Sequence, residues 1–162
     1  MLVRMNERIA SMPSDLVDFL VTLTEIESTL YSCYQICGQK NLDDGLKKIY
    51  RSLAEQERNH VKVLQELVAE LRTGDSASTV VAGSHSAPSI EPDDPCCEEE
   101  GRTEPVFSRA IANETAVYEL LTAALEAVSD PDAQYRLSAL REEEKKHIQW
   151  MKDRQDLEAL RR

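Results

Sequence analysis

The chain contains few residues that interrupt helices: among its 162 residues, five are glycine and six are proline, and aromatic residues make up only 5%. It also shows little of the period-two alternation of β-branched residues that is typical of half-buried strands. Long stretches consist instead of Ala, Leu, Glu, Lys, Arg and Gln, which favour helices. This composition predicts an all-α protein.

A basic surface is also missing, since the formal net charge at pH 7 is -11. Nucleic-acid phosphates require a positively charged face, so this charge argues against nucleic acid as a partner. No stretch approaches the roughly 18 to 20 apolar residues that cross a membrane, and the first residues lack the apolar core of a signal peptide. We therefore expect a cytoplasmic protein that does not associate with membranes.

The four cysteines do not form a familiar framework. Cys33 and Cys37 lie one helical turn apart, and Cys96 and Cys97 are adjacent in an acidic stretch. This spacing provides neither a regular disulfide pattern nor paired C-x-x-C knuckles. We expect Cys33 and Cys37 to be buried thiols in a reducing compartment and the other two to be solvated, while the role of the acidic Cys96-Cys97 linker stays open.

Apolar periodicity, together with start and stop signals such as Gly74 and the Asp130-Pro131 pair, predicts four helices. Their predicted bounds are about 14–38, 42–72, 104–128 and 131–160. The intervening linker, 74–103, is far longer than the ~2 to 8 residues that usually join helices. Between 74 and 104 there are eight acids and one base, so we expect a flexible segment in which His85 is a solvated loop residue.

Such a linker is explained by an antiparallel four-helix bundle made of two hairpins. Helices two and three then run parallel, and one long crossover must connect them. We predict this fold as a single domain over residues 1–162.

The two predicted hairpins repeat one polar pattern at an offset of 87 residues. Each has a lone glutamate, a tyrosine four residues later, and a Glu-x-x-His pair that begins thirty residues after the lone glutamate. A glutamate three residues before a histidine places both side chains on one helix face. The repeated residues are Glu27, Tyr31, Glu57 and His60 in the first hairpin and Glu114, Tyr118, Glu144 and His147 in the second. The pattern indicates a duplication or its structural echo.

The repeated glutamates and histidines interrupt apolar seams that should face the interior of the bundle. In the first helix the seam contains Leu20, Leu23, Glu27, Leu30 and Tyr34, at spacings of three and four residues. An ionised carboxylate left alone in a core is strongly unfavourable or is forced to protonate. Because two divalent ions would neutralise four glutamates, the pattern predicts a dimetal site for iron or manganese.

The predicted ligands are Glu27, Glu57, His60, Glu114, Glu144 and His147. Tyr31 and Tyr118 are either core aromatics or donors of hydrogen bonds to the ligating carboxylates. We assign Glu55, Glu142 and Glu143 to faces nearer solvent, because their basic neighbours supply surface partners. A single Glu-x-x-His pair would be interpreted as chance in a Glu-rich helix, but two pairs with two further seam glutamates favour a metal site.

These six residues resemble the ligands of the ferritin-like superfamily, and among its members those of the rubrerythrin and bacterioferritin branch, over residues 14 to 160. The resemblance implies two iron ions that are oxidised from the diferrous to the diferric state by peroxide or dioxygen. It implies that Glu57 and Glu144 bridge the ions and that the two histidines are terminal ligands. Glu27 and Glu114 would be terminal or bridging carboxylates.

The sequence departs from rubrerythrin proper in two respects. It has no rubredoxin module, since paired C-x-x-C knuckles are missing, so a separate carrier would have to supply electrons. In addition, Val117 lies one turn after Glu114 and Ile111 one turn before it, whereas rubrerythrin has a further carboxylate in its third helix. A simpler ferroxidase-type centre is compatible with both departures.

Three functions are therefore expected, in order of preference. The first is a rubrerythrin-like diiron oxidoreductase that reduces hydrogen peroxide or dioxygen with electrons from an external donor. The second is a ferroxidase subunit of an iron store. The third is a non-enzymatic helical interaction module whose polar centre specifies packing. The resemblance also implies a homodimer.

Overall fold

The protein folds as an all-α four-helix bundle, as predicted. The structure is a computed structural model that describes residues 11–41, 43–74, 79–90 and 107–160. Its helices are α1 (Leu16–Lys40), α2 (Asp44–Thr73), α3 (Ser108–Ala127) and α4 (Pro131–Ala159). Helices α1 and α2 pack as one hairpin and α3 and α4 as the other, and the hairpins meet through α1 with α3 and α2 with α4. The part of the chain that the structure describes contains no strand, only two isolated bridges.

Aspartate side chains begin three of the helices. The carboxylate of Asp15 accepts hydrogen bonds from the backbone N–H groups of two α1 residues, and Asp43 and Asp130 each accept one such bond at the start of α2 and α4. These caps satisfy N–H groups that have no partner within the helix. The predicted cap at Asp130 is therefore confirmed, whereas α1 begins about two residues later than expected. The predicted start of α3 at residue 104 lies outside the described residues.

Helix α1 also continues past Gly38, where the sequence suggested that it ends. A Cβ atom at this position would lie 2.8 Å from Cγ of Arg51, and Nε of Arg51 donates a hydrogen bond to the Gly38 carbonyl at 3.0 Å. Gly38 thus allows α2 to approach α1 closely. A glycine near a predicted helix end can mark close packing as well as a stop.

The apolar seams predicted from the sequence form the core. The seam residues of α1 are all buried, as are Leu53, Leu64 and Leu67 of α2, while Leu71 at the end of α2 and Leu125 at the end of α3 are only half-buried. Further core residues lie outside these seams, including Phe19, Tyr50, Leu120 and Ala124. The bundle therefore surrounds the polar positions with tightly packed apolar side chains.

Part of the crossover is tied to the beginning of α1. The backbone N–H of Leu16 donates to the Thr79 carbonyl at 2.9 Å, and Val81, which is buried, donates to the Ser14 carbonyl at 2.8 Å. The ring of His85 is half-buried and contacts the ring of Phe19 edge-on, with centroids 5.9 Å apart. The expectation of a flexible segment with a solvated histidine is therefore wrong for residues 79–90. Residues 75–78 and 91–106 lie outside the described part.

The cysteines of α1 differ from each other. Cys33 is a buried free thiol, as expected, and burial raises its pKa. Cys37 is disulfide-bonded, so the prediction of a thiol is wrong there, and its partner lies outside the described residues. Spacing along a single helix gives no information about a disulfide that a cysteine forms outside that helix. The prediction that Cys96 and Cys97 are solvated also falls outside the described residues.

Among the helices of the described residues, none is both long enough and apolar enough to cross a membrane.

Candidate dimetal site

The six predicted ligands converge in the middle of the bundle, one or two from each helix. All four glutamates have an exposed fraction of 0%, and His60 and His147 have 1% and 3%. Their ligand atoms form two groups, within each of which all atoms lie within 4.8 Å of one another. We call these groups site one (Glu27, Glu57, His60 and Glu144) and site two (Glu57, Glu114, Glu144 and His147). Glu57 and Glu144 belong to both, as residues that bridge two ions would.

Each histidine turns its Nδ1 atom toward carboxylates. Nδ1 of His60 lies 2.6 Å from Oε1 of Glu144, 3.3 Å from Oε2 of Glu57 and 3.8 Å from Oε1 of Glu27. Nδ1 of His147 lies 3.4 Å from Glu57 and 3.5 Å from Glu144, and 3.9 Å from Oε2 of Glu114. The two rings are nearly parallel, with centroids 5.5 Å apart. Nδ1 is therefore the atom that each histidine offers to the cluster.

The cluster contains many buried polar atoms that have no hydrogen-bond partner outside the cluster itself. These are both carboxylate oxygens of Glu27, Glu57 and Glu144, one oxygen of Glu114, and Nδ1 of His60 and His147. Buried polar atoms in folded proteins are almost always paired, because an unpaired one carries the cost of its lost hydration. All of these atoms are oxygen or imidazole nitrogen, the donors that iron and manganese accept. The residues present therefore fit a pair of metal ions.

The electrostatics of the metal-free cluster divide the four glutamates into two kinds. Burial, reinforced by the charges of Glu57 and Glu144, raises the pKa of Glu27 and of Glu114 well above the ordinary value. The same burial acts on Glu57 and Glu144, but hydrogen bonds from the two raised carboxyls and from the two histidines outweigh it, so both pKa values are lowered. Without metal, the shared glutamates therefore give up their protons more readily than Glu27 and Glu114 do.

The histidines of the cluster take up protons for the same reason. Burial disfavours a charged imidazole, yet the carboxylates Glu143, Glu144 and Glu57 together raise the pKa of His60 far above its ordinary value. Glu114, Glu144 and Glu57 likewise raise the pKa of His147 to about 11. The metal-free cluster thus holds protons at the positions that cations would replace.

Two residues that the sequence analysis did not assign to the site contact the outer faces of the histidines. Nε2 of His60 donates a hydrogen bond to Oε2 of Glu143 at 2.9 Å, and Nε2 of His147 donates to Oε1 of Gln56 at 2.7 Å. Glu143 was expected to face solvent; its side chain is 49% exposed, but its oxygen reaches inward to His60. A signal was present in the sequence, because positions 56 and 143 each precede a predicted ligand and are related by the repeat offset.

The tyrosine that contacts the cluster is Tyr34. Its buried hydroxyl donates a hydrogen bond to Oε1 of Glu114, which leaves Oε2 of Glu114 facing the centre of the site. Tyr31, which the repeat had suggested, packs half-buried against the core and accepts a hydrogen bond from Gln35, and Tyr118 is also half-buried. Tyr34 lies on the predicted seam of α1, and its reach toward α3 follows from the packing of these two helices.

Comparison with known proteins agrees with this geometry. The family model described as Rubrerythrin matches residues 18–153, which include all six converging side chains. No curated protein and no solved structure matches the chain significantly. Because the matched residues make up most of the chain, the chain belongs to the rubrerythrin family.

Proposed function

We propose that this protein binds two iron ions and reduces hydrogen peroxide or dioxygen with electrons from a separate carrier. The observation that supports this function is the buried cluster of four glutamates and two histidines, whose inward-facing oxygen and nitrogen atoms have no hydrogen-bond partner outside the cluster. Manganese could occupy the same donors. When bound, the two ions would supply a reservoir for two electrons and Lewis acidity toward a peroxide or dioxygen.

The chain's own residues hold and shield that centre. Glu57 and Glu144 lie in both ligand groups, so their oxygens are placed to hold two cations close together. Glu27 completes site one and Glu114 completes site two. The buried apolar residues that flank them along each helix keep bulk water away. Exclusion of water strengthens electrostatic interactions within the site and prevents side reactions.

Contact between the centre and solvent is expected on the side formed by α2 and α4. Glu143 is half-exposed and is hydrogen-bonded to the buried His60. It therefore connects solvent with a ligand position. We infer that the external electron donor approaches this face.

The first experiment measures metal content and peroxide consumption. The protein, purified without chelator, should bind about two irons per chain, and in its reduced form it should consume peroxide when a reductant is supplied. The double variant Glu57→Ala/Glu144→Ala removes both shared ligands and should abolish binding of the pair and the activity. Binding of two irons by this variant would disprove the ligand assignment.

Glu55→Ala/Glu142→Ala is the matched control. It removes the same number of acids from the same two helices at positions related by the repeat offset, and both residues are exposed. Glu55 pairs with Arg58, and Glu142 pairs with Arg141 and Lys145. Surface ion pairs of this kind contribute little, so metal content and peroxide consumption should stay at the level of the unmodified protein.

A ferroxidase role in iron storage is the second candidate, and a feature of α3 supports it. Val117, one turn after Glu114, is fully buried, so α3 offers the cluster a single carboxylate. Size-exclusion chromatography with light scattering separates the candidates. A homodimer that consumes peroxide supports the oxidoreductase, whereas a large hollow oligomer that retains many irons per chain supports storage. A protein that binds no metal would be an interaction module.

A further inference from the structure

The two hydrogen bonds to the outer faces of the histidines are related by the same repeat as the ligands. Gln56 on α2 reaches across to His147 on α4, and Glu143 on α4 reaches across to His60 on α2. Each partner directly precedes a shared glutamate of its own helix. The two positions are therefore structurally equivalent, and the chain places side chains of nearly the same shape there.

These equivalent partners differ in charge. Glu143 presents a carboxylate to the N–H of His60, whereas Gln56 presents a neutral amide oxygen to the N–H of His147. A partner on the far nitrogen fixes the orientation of a ligating imidazole, and a carboxylate there raises its basicity more than an amide does. The imidazole of site one is therefore the stronger donor.

A second difference between the two sites concerns the unshared glutamates. The hydroxyl of Tyr34 draws charge from one oxygen of Glu114, while no described residue outside the cluster donates a hydrogen bond to Glu27. The repeat equivalent of Tyr34 is Leu121, a fully buried residue that cannot donate a hydrogen bond. Once it is ionised, the carboxylate of Glu27 in site one therefore presents its full charge to a cation. Both differences favour binding of a cation at site one over site two.

We propose that the two metal positions are unequal: site one binds a divalent cation more tightly than site two and fills first, and Glu143 and Gln56 are positioning residues that set this order. The inference rests on the proposed two-metal site. It does not depend on the reaction, since it concerns the affinity of each position for an ion.

The isosteric pair permits a reciprocal exchange of the two side chains. Glu143→Gln should weaken site one by about 10-fold or more, because loss of a group behind a ligating histidine typically costs 10- to 100-fold in affinity. Gln56→Glu should strengthen site two by a similar factor. The double variant Gln56→Glu/Glu143→Gln keeps the net charge and the side-chain sizes. It should raise the affinity of site two relative to that of site one by more than either single variant does.

The measurement is calorimetric titration of the metal-free full chain with Co(II) without oxygen, followed also by the visible absorption of the bound ion. The unmodified protein should give two steps of unequal affinity. His147→Ala removes the histidine of site two and leaves site one intact, whereas His60→Ala does the reverse. The remaining Co(II) should therefore bind more tightly to His147→Ala than to His60→Ala. Glu142→Gln, next to Glu143 but paired with surface bases, is the control and should change neither step.

Each outcome distinguishes the inference from the function on which it rests. If the unmodified protein binds no Co(II), the two-metal proposal fails. Two equal steps in the unmodified protein, or an affinity ratio that the exchange of Gln56 and Glu143 leaves unchanged, would overturn the inference and leave the two-metal site standing. Thermal unfolding of each metal-free variant shows whether it is folded. If Glu143→Gln does not fold, the variant Gln56→Glu alone tests the inference. It should strengthen site two and so bring the two Co(II) affinities closer together.

Discussion

Loading the cluster with two divalent ions should release about four protons near neutral pH. In the metal-free protein, neighbouring carboxylates keep the imidazoles of His60 and His147 protonated, because they raise both pKa values. Burial also raises the pKa of the Glu27 and Glu114 carboxyls, so we expect these two groups to hold their protons near neutral pH. A side chain must lose its proton to become a metal ligand, so each of these four groups gives up one proton when the ions bind.

The balance of charge supports this number. In the metal-free cluster, two imidazolium groups balance the ionised carboxylates of Glu57 and Glu144. In the loaded cluster, two ions of charge +2 balance four carboxylates beside neutral imidazoles. The exchange of two ions for about four protons therefore keeps the buried centre close to neutral, whereas a net charge in a low-dielectric interior would be strongly unfavourable.

Calorimetry provides the assay. Co(II) is titrated at pH 7 without oxygen in two weakly coordinating buffers that differ in their enthalpy of ionisation, and the difference in observed heat gives the number of protons released. The overall affinity for both ions should also rise with pH, by about four decades per pH unit while all four groups stay protonated. This increase should diminish as the pH approaches the pKa of His147, about 11.

The control is the surface variant Glu55→Ala/Glu142→Ala, which should release the same number of protons as the unmodified protein. Release of about one proton or fewer per pair of ions would refute the reasoning. It would show that the metal-free cluster is already deprotonated, and that burial and neighbouring charge do not set its protonation as described.

Three further predictions concern the metal-free protein. The two histidines of its cluster keep protons that the unfolded chain releases above about pH 6.5, and the raised pKa values of Glu27 and Glu114 act in the same direction. The free energy of unfolding should therefore fall as pH rises from 7 to 9, by about 1.4 kcal/mol per unit for each proton that the folded protein retains, whereas that of the metal-loaded protein should vary less; urea titrations at several pH values measure both. Tyr34→Phe leaves an oxygen of the buried Glu114 without its donor and should cost about 1–3 kcal/mol, whereas Tyr31→Phe, which removes only a contact with the exposed Gln35, should cost less than about 0.5 kcal/mol; equal costs would contradict the contact. Alkylation of the denatured, unreduced protein should label Cys33 but not Cys37, as peptide mass spectrometry can check, and label on both would exclude the disulfide.

The helices and the positions of the six converging side chains were predictable from the sequence, because both follow from periodicity along single helices. A polar residue at a seam position must point inward once the helix packs, and this holds whatever the neighbouring helix is. Glu27 falls on the seam of α1 and Glu25 does not, and the structure accordingly buries the first and exposes the second. The start of α4 was equally local, since Asp130 and Pro131 are adjacent signals.

The residues that the sequence did not reveal depend on contacts between helices. Glu143 lies off the seam of α4, and only the packing of α4 against α2 brings its oxygen to His60. Tyr34 was recognised as a seam residue, but its bond to Glu114 requires α1 to lie beside α3. The packing of residues 79–90 on α1 also joins distant parts of the chain. Periodicity contains no information about such pairs.

The repeat shows where the two halves of the site differ. The ligands recur identically at the offset of 87 residues, so by themselves they could not distinguish one ion from the other. The supporting groups do not recur: Gln56 corresponds to Glu143, and Tyr34 corresponds to Leu121. Any difference between the two ions in affinity must therefore come from residues that do not bind them. In this chain the exchange of Gln for Glu143 and of Leu for Tyr34 between the two halves leaves more negative charge at site one. A test of unequal affinity should therefore exchange these supporting residues and leave the ligands unchanged.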